Sequence, residues 1–137
     1  MASASQARPP RRTVSAPFDA SDLTLLREED EIEIETAAGE EGPAHRAIIW
    51  VVVDDRDRVL IRSYRGPGAR WYREITARPE GIVHVRARAL GVRAIPAGDA
   101  DRVAACSEGL RSKYAGDPAT PRMLRQHLET TLELVPR

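Results

Sequence analysis

The sequence of 137 residues lacks the features that cross-link a small protein or hold a protein in a membrane. A single cysteine, Cys106, excludes an intrachain disulfide framework and a zinc site built from cysteines. No apolar run approaches the roughly 18 residues of a membrane helix, and no apolar stretch is typical of a secretory signal. We therefore expect a cytoplasmic protein without a membrane partner, folded around its own hydrophobic core.

The sequence also lacks an excess of charge of either sign. Lys and Arg total 21, Asp and Glu total 21, and the formal net charge is zero. This balance argues against nucleic acid as a partner, because a dedicated binding domain usually has a pI above about 9. Lys113 is the only lysine. The many arginines suit carboxylates and phosphates, although a GC-rich genome would produce the same bias, and both explanations stay open.

Motifs for metal binding and nucleophilic catalysis are absent. The three histidines, His45, His84 and His127, form no i,i+4 pair and no HExxH motif, so we expect no metal site. The sequence has no GxSxG motif, and no pair of carboxylates stands out for acid–base chemistry. Cys106 is interpreted as a packed thiol in the middle of a helix.

The composition divides the chain into a tail and one domain. Residues 1–18 hold mainly Ser, Ala, Pro and Arg, without an acidic residue, and are predicted to be a flexible tail. The domain then covers residues 19–137. It should begin with a short helix capped by Ser21, in which Leu23 and Leu26 share a face.

Alternating and continuous apolar patterns predict a mainly β domain with flanking helices. Six strands are expected, over residues 31–36, 47–53, 58–64, 82–88, 92–95 and 130–136. The run 47–53 should be buried on both faces, with Trp50 in the core, and the hairpin after it should be followed by one that turns at Ala89–Gly91. The short connections favour antiparallel pairing, so the strands should form a small closed or partly closed barrel.

Two further helices are predicted between and after the hairpins. RWYREITAR, residues 70–78, places Trp71 and Ile75 on one helical face. The longest helix should begin at an Asp99 cap. Its inward-facing residues are expected to be Val103, Ala104 and Leu110.

The segment IRSYRGPGARWYREI is the most informative for function. A strand ends there, a Gly-Pro-Gly loop follows, and a helix begins near Arg70. A helix N-terminus favours an anion, and several arginines are close in sequence: Arg62, Arg65, Arg70 and Arg73. The segment is interpreted as a cradle for a phosphate or carboxylate, while a surface loop of an arginine-rich protein fits the sequence equally well.

Three segments resemble an uncharacterised bacterial domain family of the FMN-binding split-barrel superfamily, near pyridoxamine-phosphate oxidases and deazaflavin-dependent nitroreductases. These segments are LLREEDEIEIET, IRSYRGPGARWYREITARP and TTLELVPR, and the similarity covers roughly residues 21–137. The resemblance implies a six-stranded antiparallel split β-barrel. It also implies a homodimer with its pocket at the subunit interface.

The same resemblance assigns candidate site residues. The positions near the cofactor are Arg46, Ile48, Arg62, Ser63, Arg65, Gly66, Gly68, Trp71 and Tyr72. Tyr72 or Tyr64 would hydrogen-bond the substrate or donate a proton, and Tyr114 would close the pocket. The nitroreductase pattern has a lysine before the glycines, where Arg65 or no equivalent stands, and an asparagine after Trp-Tyr, where this chain has Arg73 and Glu74.

Three functional hypotheses follow. The leading one is an oxidoreductase that binds FMN or a deazaflavin. The second is a barrel without a cofactor, such as a cyclase, an isomerase or a metabolite-binding protein of secondary metabolism, in which the arginines hold a substrate carboxylate. The third is a dimeric scaffold or regulator without enzymatic activity.

Overall fold

The structure, a computed structural model, describes residues 17–137. The predicted tail lies outside this range except for Pro17 and Phe18, and Phe18 packs, partly buried, against the core. Within the described range no helix has both the length and the apolar character needed to cross a membrane.

The described residues form one antiparallel sheet with flanking helices. Its strands are β1 (Ile32–Ala37), β2 (Ala44–Ile49), β3 (Val52–Val53), β4 (Val59–Ile61), β5 (Glu80–Val85), β6 (Arg88–Pro96) and β7 (Leu132–Pro136). The α-helices are α1 (Ala20–Glu28), α2 (Arg70–Ala77), α3 (Ala100–Lys113) and α4 (Thr120–Arg125). The strand order is β2-β1-β5-β6-β7-β4-β3, and the sheet curls into a half-barrel. The predicted fold class is confirmed, with seven strands in place of six.

The extra strand arises because the predicted strand over 47–53 is broken at Trp50 and Val51. β2 pairs with β1, whereas β3 pairs with β4 at the other end of the sheet order. The prediction that this run is buried on both faces is wrong for β2, where alternate residues are exposed and Ile48 is 63% exposed. The reason is that β2 is an edge strand beside a cavity, which apolar composition alone does not reveal.

The second hairpin, β5 and β6, turns earlier than predicted. Its turn is at Arg86 and Ala87, and Arg86 has a positive φ of 53°. The prediction of a turn at Ala89–Gly91 is therefore wrong. Gly91 lies inside β6, where it pairs with Ile82 and packs under the side chain of Arg137, so this glycine serves close packing rather than a turn.

The helix caps and inward faces are partly as predicted. Asp99 caps α3, and its side chain accepts a hydrogen bond from the Arg102 backbone N–H at 3.0 Å, as expected. α1 begins at Ala20, so the cap predicted at Ser21 is wrong. Ala104 is exposed, contrary to prediction, because the inward stripe of α3 runs through Cys106 and Leu110, one turn apart.

The core has two parts that meet at β4. Val59 and Ile61 enter the larger cluster, which lies against α1 and α2, while Leu60 enters the smaller cluster beneath α3 and α4. β4 is thus buried on both faces, and burial of this apolar surface fixes its position. This anchors the start of the loop at Arg62, the first residue after β4.

Candidate functional site

A cavity of about 500 Å³ lies beside β2, within the size range of ligand pockets. One wall is formed by residues 45–50, which comprise most of β2 and the start of its break. The opposite wall is formed by residues of the segment 62–71, which joins β4 to α2, and by Ala119 and Met123 from the region of α4. The site is therefore built where an edge strand faces the arginine-rich loop.

The structure brings part of the predicted site together. The predicted site residues that line the cavity are Arg46, Ile48, Arg62, Tyr64, Arg65 and Trp71. Four others do not line it: Ser63, Gly66, Gly68 and Tyr72.

Arg62 is 2% exposed, and its guanidinium is held by protein atoms. Nε donates to Thr131 Oγ1 at 2.9 Å, Nη1 donates to the Met123 carbonyl at 2.8 Å and to Ser107 Oγ at 3.1 Å, and Nη2 donates to the Val103 carbonyl at 3.1 Å. All four acceptors are neutral, and burial lowers the pKa of Arg62. Arg62 thus clamps α3, α4 and the start of β7 to the sheet, and it places an uncompensated positive charge at the cavity wall.

Ser63 and Gly66 fix the conformation of the loop through contacts within the protein. The Ser63 hydroxyl donates to the Gly66 carbonyl at 2.7 Å, and the Ser63 N–H donates to Thr130 Oγ1 at 3.1 Å. Gly66 has a φ of 79°, and a Cβ there would lie 2.5 Å from His127 Nδ1. These contacts hold the bend that turns Arg65 toward the cavity side of the loop.

The aromatic residues of the segment occupy different environments. Trp71 is buried at the cavity wall, and Tyr64 is 46% exposed with the Arg122 guanidinium 4.8 Å from its ring centroid. Tyr72 is half-buried outside the cavity, with its ring edge-on to Trp71. Burial and the charge of Glu129 raise the pKa of Tyr72. Of the two tyrosines predicted to act on a substrate, only Tyr64 lines the cavity.

The cavity has an excess of positive charge. Within residues 17–137, Arg62, Arg65 and Arg70 form no ion pair with a carboxylate, and all three line the cavity. Arg46 is instead paired with carboxylates on β1. Glu31 is the acidic residue among those that line the cavity. Because unpaired guanidinium groups suit carboxylates and phosphates, the arrangement favours an anionic ligand.

A histidine–carboxylate pair at the cavity was missed by sequence reasoning. His45 lines the cavity, and its Nδ1 lies 3.1 and 3.0 Å from the two carboxylate oxygens of Glu74 on α2. Thr36 Oγ1 donates to the same carboxylate at 2.8 Å. Burial opposes ionisation of Glu74, but these two hydrogen bonds and the positive charge of Arg70 outweigh it and lower its pKa. The two residues are 29 positions apart, so no local spacing signals the pair.

Trp50 and Tyr114 also differ from expectation. Trp50 was expected in the core but is half-buried and lines the cavity, with its ring stacked on Tyr114 at a centroid distance of 4.0 Å. Tyr114 is buried behind it and does not itself line the cavity. Its hydroxyl donates to the Asp30 carbonyl at 2.7 Å and accepts from the Val51 N–H at 3.1 Å, and burial raises the pKa of Tyr114 to about 12.

One protein family has a model that matches most of the chain. The family model described as "Uncharacterized protein conserved in bacteria (DUF2255)" matches residues 22–134. The chain belongs to this family. No curated protein sequence matches the chain.

The structural neighbours of this DUF2255 chain are pyridoxamine-phosphate-oxidase-like split-barrel proteins, and the resemblance pointed to the same fold. A putative pyridoxamine 5'-phosphate oxidase from Listeria innocua has a TM-score of 0.59 at 13% identity, over 85% of this chain and 91% of that one. HutZ, a heme storage protein from Vibrio cholerae, has a TM-score of 0.60 at 12% identity, over 89% and 92%. An F420 reductase has a TM-score of 0.53 at 19% identity, over 88% and 94%. These likenesses show a shared fold.

The cavity of this DUF2255 chain combines positive charge with apolar surface. Arg65 and Arg70 form no ion pair among the described residues, which leaves them available for charge-assisted hydrogen bonds. Trp50 and Ile48 supply apolar surface on the β2 wall. Since β2 is a sheet edge, it also has backbone hydrogen-bonding groups that no neighbouring strand of the described chain uses.

Proposed function

We propose that the chain binds an anionic small molecule in this cavity and acts as an oxidoreductase with FMN or a deazaflavin. The observation that carries the proposal is the convergence of Arg62, Arg65 and Arg70 on one cavity without a carboxylate partner within residues 17–137. An anion there would offset positive charge that forms no ion pair among the described residues. The similarity in fold to an F420 reductase and to a putative pyridoxamine 5'-phosphate oxidase supports a cofactor of this class.

The proposed roles of the three arginines follow from the hydrogen bonds that Arg62 already makes. Arg62 is committed to protein acceptors, so Arg65 and Arg70 would hold the phosphate, and Arg62 would contribute its charge. Trp50 and Ile48 would contact the ring. The bound cofactor would supply hydride transfer, while the protein orients it and limits access of water.

The experiment is a titration of the purified protein with FMN, with coenzyme F420 and with hemin, followed by quenching of fluorescence and by absorbance. Hemin is included because HutZ is a heme storage protein. Loss of a charge-assisted hydrogen bond costs about 1.5–3 kcal/mol, so Arg65→Ala and Arg70→Ala should each weaken binding about 10- to 100-fold.

The matched control is Arg111→Ala, since Arg111 is exposed on α3, pairs with Glu108 and does not line the cavity. Its affinity should equal that of the wild type. Absence of FMN and F420 binding at high micromolar concentration would refute the oxidoreductase proposal. Equal loss in the Arg65 and Arg111 variants would refute the assigned site.

A second candidate function is favoured by the His45–Glu74 pair. A cyclase or isomerase without a cofactor needs a proton acceptor beside its substrate, and His45, which lines the cavity and contacts Glu74, would be that acceptor. Arg65 and Arg70 would then hold a substrate carboxylate. This candidate predicts a colourless protein that ignores flavins and is thermally stabilised by a carboxylate-bearing metabolite.

We also propose a cytoplasmic homodimer. The support for association is the edge strand β2, on which Ile48 is 63% exposed, since an unpaired edge with a large exposed apolar residue favours contact with another chain. Light scattering coupled to size-exclusion chromatography should give twice the chain mass of 15.1 kDa. A mass of one chain at micromolar concentration would contradict it.

A further inference from the structure

The pair formed by His45 and Glu74 joins the edge strand to the helix at the cavity. His45 lies on β2 directly opposite Thr36 of β1 in the strand register, and Glu74 lies one turn into α2. The side chain of Glu74 is only 10% exposed, and its carboxylate accepts from Thr36 as well as contacting His45 Nδ1. The carboxylate is therefore fixed in place before any ligand arrives.

This fixed carboxylate determines the state of the imidazole. The lowered pKa of Glu74 keeps the carboxylate ionised at neutral pH, and an ionised carboxylate only accepts hydrogen bonds. Nδ1 of His45 therefore carries a hydrogen and donates a hydrogen bond to the Glu74 carboxylate. In the neutral ring Nε2 is then the acceptor, and it has no hydrogen-bond partner within the described part of the chain.

The other two histidines show that this arrangement is specific to the cavity. His84 also contacts a glutamate, Glu35, but through Nε2 at 2.7 Å, and it does not line the cavity. His127 packs against Gly66 behind the loop. Only His45 combines a carboxylate partner on one ring nitrogen with a place at the cavity, where its side chain is 26% exposed.

We propose that His45 is the proton-transfer group of this cavity, that Glu74 is its positioning residue, and that the ligand exchanges a proton at the site. The proposal rests on the proposed binding function of the cavity. Nε2 takes a proton from an O–H, N–H or acidic C–H of the ligand, and the imidazolium that forms is stabilised by the Glu74 carboxylate. On release the proton returns from Nε2 to the ligand or to water.

The charged groups around His45 set the direction of the exchange. Glu74 on α2 contacts Nδ1 of His45 directly, and Glu31, Arg46 and Arg70 line the same cavity. An anionic ligand brings negative charge to this cavity, and negative charge nearby favours a protonated imidazole. Binding of an anionic ligand should therefore draw a proton onto His45, which couples occupancy of the cavity to protonation of the imidazole.

The first test uses the full chain without ligand. Long-range ¹H–¹⁵N NMR of protein labelled in histidine reports which ring nitrogen is protonated, and His45→Gln identifies the signal. Above the titration of the ring, His45 should be the Nδ1–H tautomer. In Glu74→Ala the signal should move toward the Nε2–H tautomer that free imidazole side chains prefer, while the His84 signal stays unchanged and serves as the control for the fold. An Nε2–H tautomer in the wild type would overturn the proposal.

The second test asks whether Nε2 holds a proton beside a bound anion. It uses FMN as the probe and measures the proton taken up from solvent on binding near pH 6.5. Calorimetry in buffers of different ionisation enthalpy measures this uptake for the wild type, His45→Gln and His84→Gln. The wild type and His84→Gln should take up the same fraction of a proton, and His45→Gln should take up less. Equal uptake in all three would overturn the proposal. If FMN does not bind, the proposed cofactor fails and the tautomer measurement alone decides the role of His45.

Discussion

Substitution of two arginines three positions apart should have different effects on the stability of the fold. Arg62 is buried with four hydrogen bonds to protein acceptors, whereas Arg65 has no ion pair within the described residues and lines the cavity. We expect Arg62→Met to destabilise the fold. Arg65→Ala should leave the fold as stable as the wild type and weaken ligand binding.

The magnitude for Arg62→Met follows from what the substitution leaves behind. Met123 lies near the end of α4, where carbonyls lack helical partners, so its carbonyl becomes an unsatisfied buried acceptor at a cost of about 1–3 kcal/mol. The bonds to Ser107 and Thr131 are lost as well, at about 1 kcal/mol each. Removal of a buried charge without a counterion returns part of this cost. The expected net loss is about 2–4 kcal/mol.

Urea denaturation followed by tryptophan fluorescence measures this difference directly, because Trp71 is buried in the core and reports its loss. The unfolding midpoint of Arg62→Met should fall with the m-value unchanged. Arg65→Ala should remain within about 0.5 kcal/mol of the wild type, as surface substitutions usually do. If Arg62→Met were as stable as the wild type, or if Arg65→Ala lost as much, the assignment of one arginine to the fold and the other to the ligand would be refuted.

Substitutions test three further local features. Gly109→Ala in α3 should destabilise by about 1–3 kcal/mol in urea, although Ala favours a helix, because its Cβ would lie 2.8 Å from the Val52 Cβ. Gly66→Ala should lower the free energy of unfolding by about 1–2 kcal/mol, since its φ of 79° strains any Cβ, whereas Gly68→Ala faces open space and should change it by less than about 0.5 kcal/mol. Glu74 has a lowered pKa, so its ionised form stabilises the fold at pH values above 4.5, the ordinary pKa of a glutamate. This contribution is lost as the pH falls through the lower pKa of the folded state. Thermal melts of Glu74→Gln should therefore show a shallower loss of stability in acid.

The fold was predictable where local pattern and local geometry agree. Strict alternation located β1, and the spacing of Trp71 and Ile75 located α2 to within one residue. The errors fall where tertiary context decides. The run through Trp50 is continuous in composition, but its backbone breaks at Val51. The Val51 N–H bonds the Tyr114 hydroxyl and its carbonyl accepts from Lys113, partners 63 and 62 residues away that no local pattern encodes.

The site was predictable only in outline, for a related reason. The sequence identified the loop and its arginines because glycine, proline and arginine cluster there. It did not separate Arg62, whose guanidinium bonds interior acceptors, from Arg65, which lines the cavity without an ion pair among the described residues, since both follow β4 within four residues. It missed His45 and Glu74 because strand pairing and the packing of α2 against the sheet bring them together.

The burial of Arg62 links the stability of the fold to the shape of the cavity. Its guanidinium fixes the carbonyl of Met123, and Met123 forms part of the cavity wall opposite β2. Loss of this clamp therefore frees α4 to move at the cavity, so that Arg62→Met should weaken ligand binding without removing a direct contact. Arg62→Lys keeps the charge but cannot reproduce the planar fork. If charge alone mattered, the lysine variant would bind ligand as the wild type does. Because the planar guanidinium positions the cavity wall at Met123, the affinity of Arg62→Lys should fall toward that of Arg62→Met.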